Sequence, residues 1–323
     1  MTQSGPGKSF RKGITLMEAV KKFDTEEKAE AWFIEQRWPD GPVCPFEGCE
    51  STRITIVENR KPQPFRCKAC RKFFSVKTGT MMHSSNIELS KWAIAFYLHA
   101  TSLKSVSSMK LHRDLGIGQK AAWYMGHRIR GMWSKEEERF AGAVEADETY
   151  IGGKEYNKHA DKKLRAGRGT VGKTAVAGVR DRTTGRVNTE VVESTDKGTL
   201  QNFVIRHTTS GAMVYTDEAA AYQGIPRRHE AVKHSANEYV RGMAHTNGLE
   251  SHWALFKRAI DGTFHHISVK HLHRYTVEFD GRHNARPLDT ADIMGQLARD
   301  SAGKRMTYER LIGPAKTRQP LMV

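Results

Sequence analysis

The chain has 323 residues, enough for two or three domains of ordinary size, and carries 52 Lys and Arg against 36 Asp and Glu, a net charge of +16. That excess makes a polyanion the expected partner, with nucleic acid first. No run of 18 apolar residues and no basic amphipathic helix standing apart from a fold is present, which argues against a membrane protein. The N-terminus, with Lys8, Arg11 and Lys12 and no apolar stretch, lacks an export signal, so a cytoplasmic chain is expected.

Residues 1–40 read as an N-terminal helical segment. Thr15 to Arg37 has a helical pattern, with Asp24 and Glu27 resembling a capping box and Ala31, Trp32 and Ile34 as an apolar stripe. Trp38-Pro39-Asp40-Gly41-Pro42 ends it. The cysteines follow at once: Cys44, Cys49, Cys67 and Cys70 are the whole complement, spaced as C-x4-C and C-x2-C around a 17-residue gap. Two close pairs deliver four thiolates to one tetrahedral Zn²⁺, the spacing of a zinc ribbon over residues 41–84. Two disulfides are the alternative, disfavoured by the spacing and the compartment. Ile54, Ile56, Val57 and Phe65 supply the strand character of the ribbon's hairpin.

Residues 85–138 read as three helices. The first carries Trp92, Ile94, Phe96, Tyr97 and Leu98, the second runs from about Ser105 to Leu115, and Gly116-Ile117-Gly118 turns into the third. A third helix bearing Gln119, Lys120, Tyr124, His127, Arg128 and Arg130 fits a DNA-binding helix-turn-helix, with an ordinary three-helix connector as the alternative. From about Ala141 strands alternate with helices. Strands are expected over 144–151, 174–180, 186–192 and 212–215, with a hairpin at Thr183-Thr184-Gly185 and a helix over 196–208. The order β-β-β-α-β, followed later by a long helix, predicts an α/β (α+β) mixed sheet of ribonuclease-H-like type over 139–286. A basic insert between Gly152 and Lys173, with Lys154, Lys158, Lys162, Lys163, Arg165 and Arg168, is expected to order against phosphates. Residues 287–323 are set apart as a basic C-terminal tail.

Three acids carry the candidate chemistry. Asp147 stands in a strand, Asp217 ends another, and Glu250 opens a helix over about 246–260. Acids on three elements can converge to hold two Mg²⁺ or Mn²⁺ ions against a phosphodiester. On that helix Leu249, Trp253, Phe256 and Ile260 form the core stripe, while Glu250 and Lys257 share a second face with Asn247 one turn earlier. Asn247 stays an alternative third ligand. Glu145, Glu148 and Glu218 are read as supporting or solvated groups, and one of His234, His245, His265 and His266 as a candidate for substrate binding or proton transfer.

Taken together, the residues resemble a known group. Cys44-Pro45 with Cys67 and Cys70, the run Phe74 to Met81, Val144-Glu145-Ala146-Asp147-Glu148-Thr149-Tyr150-Ile151-Gly152-Gly153-Lys154, Tyr215-Thr216-Asp217-Glu218, His245-Thr246-Asn247 with Glu250-Ser251, and Lys257-Arg258 are similar to zinc-ribbon insertion-sequence transposases of the DDE superfamily, the family numbered fifteen-ninety-five. The first knuckle departs from that pattern, C-x4-C where C-x2-C is commoner. The resemblance covers roughly residues 15–286. It implies a catalytic domain that cuts at terminal inverted repeats and joins 3′-hydroxyls to target DNA, with Asp147, Asp217 and Glu250 as metal ligands and Lys257 as end-binding cation. It also implies double-stranded DNA as partner, a homodimer or higher oligomer at synapsis, and a nucleoid-associated location. A DNA-binding regulator with an inactive domain and a structure-selective nuclease are the rival readings.

Overall fold

In a computed structural model, the structure describes residues 13–133, 138–153, 159–164, 169–217, 219–231 and 247–313. The chain divides into two compact units, one of residues 1–134 with 285–323, the other of residues 135–284.

The first unit opens on α1 (Leu16–Lys22) and α2 (Glu26–Arg37). These are two helices where one helical stretch is expected, because each has its own start signal. The Thr15 side chain accepts from Glu18 N–H and Glu18 reaches back to the Thr15 amide, a reciprocal cap. The second cap falls one residue later than predicted: Thr25 accepts from Lys28 N–H, while Asp24 pairs with the Lys28 ammonium at 2.9 Å. The short strands β1 (Ile54–Ile56), β2 (Phe65–Cys67) and β3 (Phe73–Phe74) then form an antiparallel sheet. Trp38 packs edge-on against Phe65 and Phe74, which stack on each other at 5.4 Å, and Phe46 adds a further edge-on contact with Phe74.

Helices α3 (Leu89–Thr101), α4 (Ser108–Leu115) and α5 (Gln119–Met132) follow the predicted bounds closely. Ser107 caps α4, and Gly116 closes it at φ 60, the left-handed conformation that glycine adopts without penalty. Glu26 of α2 accepts from the Leu89 and Ser90 amides, satisfying the start of α3 from a distant part of the chain.

The stretch beyond residue 287 is more than a tail. Asp289 caps α9 (Thr290–Asp300), whose Ile293, Met294, Leu297 and Ala298 lie on one buried face, and α10 (Tyr308–Ile312) follows. Both belong to the first unit: α9 packs on α2, α3 and α5, the Met81 amide donates to Ser301 O at 2.9 Å, and Tyr124 Oη donates to Met306 O at 2.5 Å.

The second unit is a five-stranded mixed sheet in the order β6-β5-β4-β7-β8. Strands β4 (Ala143–Ile151), β5 (Thr174–Asp181) and β6 (Val187–Val192) are antiparallel neighbours, while β7 (Met213–Thr216) and β8 (Arg228–Ala231) run parallel to β4. Alternation along β4 gives the sheet two buried faces. Val144 and Ala146 meet Leu200, Phe203 and Val204 of α6 (Lys197–His207) on one side; Ile151 meets the cluster of α7 (Asn247–Ala259) and α8 (Val269–Asn284), with Trp253, Phe256, Leu272 and Phe279, on the other. A sheet of this order covered by helices on both faces is ribonuclease-H-like. The Arg228–Ala231 strand and the 269–284 helix have no counterpart in the sequence reading.

Candidate active site and metal centre

The four cysteines converge. Cys44 Sγ lies 3.6 Å from Cys70 Sγ and Cys49 Sγ 3.7 Å from Cys67 Sγ, and all four ligand atoms fall within 4.8 Å of one another. A tetrahedron with Zn–S bonds near 2.3 Å has sulfurs about 3.8 Å apart, so the set fits zinc. Backbone geometry prepares the thiolates. The knuckle amides of Cys70 and Ala69 point at Cys67 and bring its thiol down to about 6, whereas burial pushes the Cys44 thiol up to about 12. Such a set suits a cation that holds all four thiolates together.

In the second unit the strand register brings two acids together. Ala143 pairs with Met213, Val144 with Val214 and Glu145 with Tyr215 in parallel, and the same register carried two residues further sets Asp147 beside Asp217. Asp217 Oδ1 accepts the Ala219 amide at 3.0 Å, and Trp253 Nε1 of α7 donates to Asp147 Oδ2 at 3.0 Å. The indole reaches that far because Gly178 stands opposite Asp147 on β5: a Cβ there would lie 2.6 Å from Trp253 Cζ2. Glu148, the next residue along β4, is held on the other side of the strand, its carboxylate accepting from Tyr222 Oη at 2.8 Å, and its charge still acts on Asp147.

Burial, with the negative charges of Glu148 and Asp217, raises the Asp147 carboxyl to about 7. An acid held above its unfolded value of 3.8 weakens the fold fully above pH 7, and the penalty fades as pH falls from 7 toward 4. In cation-free buffer at pH 8, Asp147→Asn is therefore expected to stabilise the second unit by about 2–4 kcal/mol, with the gain largely gone near pH 4.5. Melting curves of the two proteins across that range check it; a destabilised variant at pH 8 would refute it.

Glu250 and Asn247 lie exposed in the first turn of α7, with Lys257 and Arg258 exposed in its last. Trp253, three residues after Glu250, touches Asp147, so the helix passes over the paired aspartates. The three acids nonetheless do not gather as tightly as the cysteines: among the described residues, the cysteine set is the one group of three or more Cys, His, Asp or Glu ligand atoms within 4.8 Å of one another. A site for two ions about 4 Å apart needs a wider spread of ligands than that.

The other predicted DNA contacts divide. Gln119 and Lys120 are exposed at the start of α5, and Lys163 is exposed in the basic insert. Arg128 and Arg130, expected to face DNA, are buried at 6% and 3% exposure. Arg128 donates to His83 O and Tyr124 Oη, and Arg130 reaches Val106 O, so both guanidinium groups cross-link the interior of the first unit. His127, from the same helix, is buried too. Lys162 ends a short 3-10 turn (Ala160–Lys162), its side chain outside the described residues. Lys154, Lys158, Arg165, Arg168, Glu218, His234 and His245 also lie outside them, while His265 and His266 are exposed after α7. The polar group that sequence reasoning passed over is Tyr222; the pattern Ala-Ala-Tyr after Asp217 gives no sign that its hydroxyl reaches Glu148.

Neighbouring acids on a ribonuclease-H-like sheet, in a chain with a four-cysteine ribbon, are an arrangement that suits a DNA-processing enzyme. Residues 139–284 match the ISXO2-like transposase domain and residues 24–73 the transposase zinc-ribbon domain, so both matched segments are of insertion-sequence transposase type. The second match takes in α2 as well as the ribbon. Over 254 residues the chain is 28% identical to an uncharacterized protein in the transposable element ISH50 of Halobacterium salinarum, covering 75% of this chain and 85% of that one. Among the described residues no helix is long and apolar enough to cross a membrane.

Proposed function

We propose that this protein binds the terminal inverted repeats of its element, cleaves DNA strands there and transfers the freed 3′-hydroxyl ends to target DNA. The supporting observation is that Asp147 on β4 and Asp217, one residue beyond the parallel neighbour β7, lie near enough for charge to act between them, and the charges acting on Asp147 are those of Glu148 and Asp217, both negative. Acids crowded together in this way fit a divalent cation. Asp147 and Asp217 would hold it, with Glu250 or Asn247 of α7 as the further ligand. Bound Mg²⁺ or Mn²⁺, as two ions, would supply an activated attacking oxygen and charge stabilisation at the leaving oxygen.

The protein's own groups do the rest. Trp253 Nε1 fixes one oxygen of Asp147 and so orients the other. Lys257 and Arg258, exposed on α7, would meet phosphate charge at the DNA end, with exposed Lys163 adding to it. Gln119 and Lys120, at the exposed N-terminal turn of α5, take the position from which a recognition helix contacts base edges. The ribbon's Arg60 and Arg66, stacked on Phe73, add cations on the same unit. Joining two ends at once requires at least a dimer at synapsis.

The test is direct. Labelled duplexes ending in the element's own inverted repeat, incubated with the protein and Mg²⁺ or Mn²⁺, are expected to give end-specific cleavage and then strand-transfer products in a target plasmid. Cleavage without end preference or joining would favour a structure-selective nuclease; binding without cleavage would favour a regulator.

A further inference from the structure

Glu145 precedes Asp147 by two residues on the same face of β4, and it is fully buried. A carboxylate taken out of water is costly unless it is paired and hydrogen-bonded. Here Arg180 Nη1 lies 3.2 Å and Arg182 Nε 3.3 Å from Oε1, while Oε2 accepts the Leu249 amide at 3.1 Å. That amide sits in the first turn of α7, where backbone N–H groups have no partner within the helix. Arg180 also lies against that turn: a Cβ at Gly248 would come within 2.3 Å of its Nη1. One carboxylate therefore ties β4, the end of β5 and the start of α7 together, and the turn it ties carries Asn247 and Glu250.

We propose that Glu145 is a positioning residue of the ion-holding site, fixing where Asn247 and Glu250 stand relative to Asp147. The proposal rests on the transposase reading above. Glu145 itself touches neither ion nor DNA; it acts by holding the first turn of α7 in register with the strand that bears Asp147. A displacement of that turn by about 1 Å is enough to cost a catalytic site heavily.

Glu145→Gln keeps the shape but removes the charge that both arginines grip. In Mn²⁺ titrations followed by melting temperature, the variant is expected to need roughly tenfold more ion, or greater, for half of the stabilising shift. The Mn²⁺ needed for half-maximal end cleavage should rise in parallel, with ion-free binding to inverted-repeat DNA unchanged. If Glu145 only stabilises the fold, the melting temperature falls with and without Mn²⁺ while the half-saturating concentration stays put, and that result overturns the proposal. Should Glu145→Gln fail to fold, Gly248→Ala displaces Arg180 from the half-buried edge of the same clamp; the same rise in half-saturating Mn²⁺ is expected, and an unchanged value overturns the proposal equally. A wild-type protein with no Mn²⁺-dependent shift and no cleavage overturns the transposase reading itself, and the proposal with it.

Discussion

Asp217→Asn is expected to retain binding to inverted-repeat DNA and to lose end cleavage by at least about a thousandfold, roughly 4 kcal/mol of barrier. Asn keeps the shape and one acceptor oxygen, so the Ala219 amide that now donates to Asp217 can still be satisfied. What disappears is a negative charge beside Asp147 at the point where two parallel strands bring their acids side by side. The same substitution should also bring the Asp147 carboxyl down from about 7, because one of the like charges that raise it is gone. Cleavage measured alongside mobility-shift binding checks the first outcome; a variant that still cleaves would remove Asp217 from the mechanism. Comparing Glu250→Gln with Asn247→Ala in the same assay identifies which of them is the third ligand.

The second large effect concerns the ribbon. Its aromatic cluster of Trp38, Phe46, Phe65 and Phe74, with Val76 beside it in sequence, is a small core to fold without help. The four sulfurs supply that help. Structural zinc in small domains contributes about 10–16 kcal/mol to folding, so chelation, or Cys67→Ser, is expected to unfold residues 44–74 and to abolish specific binding to the element's ends. The ribonuclease-H-like unit should keep its own melting transition. Hydrogen exchange resolved by segment, with metal analysis giving about one zinc per chain, would test this; full protection of the ribbon in zinc-free protein would show that thiolate geometry is incidental to its fold.

Much of this architecture was legible in the residues because a few positions are over-determined. Four cysteines in two close pairs leave little choice but one tetrahedral ion. Val144 and Ala146 alternate with Glu145 and Asp147 in the period-two pattern of a strand. The Gly116-Ile117-Gly118 turn marks the break between α4 and α5 within a residue. Other features depend on partners distant in sequence. Strand β8 is Arg-His-Glu-Ala, polar as a sheet edge is, and its register with β7 exists only in the fold. Helix α8 hides Leu272, Tyr275 and Phe279 among histidines and charges, so its apolar stripe is thin. Arg128 and Arg130 read as DNA contacts because a cation on a helix is normally solvated; their burial follows from carbonyls offered by His83 and Val106, which no local pattern announces. Glu145 was visible as an acid on the strand, yet its grip on α7 spans more than a hundred residues.

Helix α9 changes how the polypeptide is divided. The ribonuclease-H-like unit is a single continuous stretch of residues, whereas the ribbon-bearing unit is completed only after that stretch has been made. During synthesis the first unit waits for α9, the helix that packs on α2, α3 and α5. Shortening the polypeptide to residue 286 would thus remove a wall from the ribbon-bearing unit while leaving the ribonuclease-H-like unit intact. The ribbon-bearing unit is thus closed by residues that lie on the far side of the other unit in sequence.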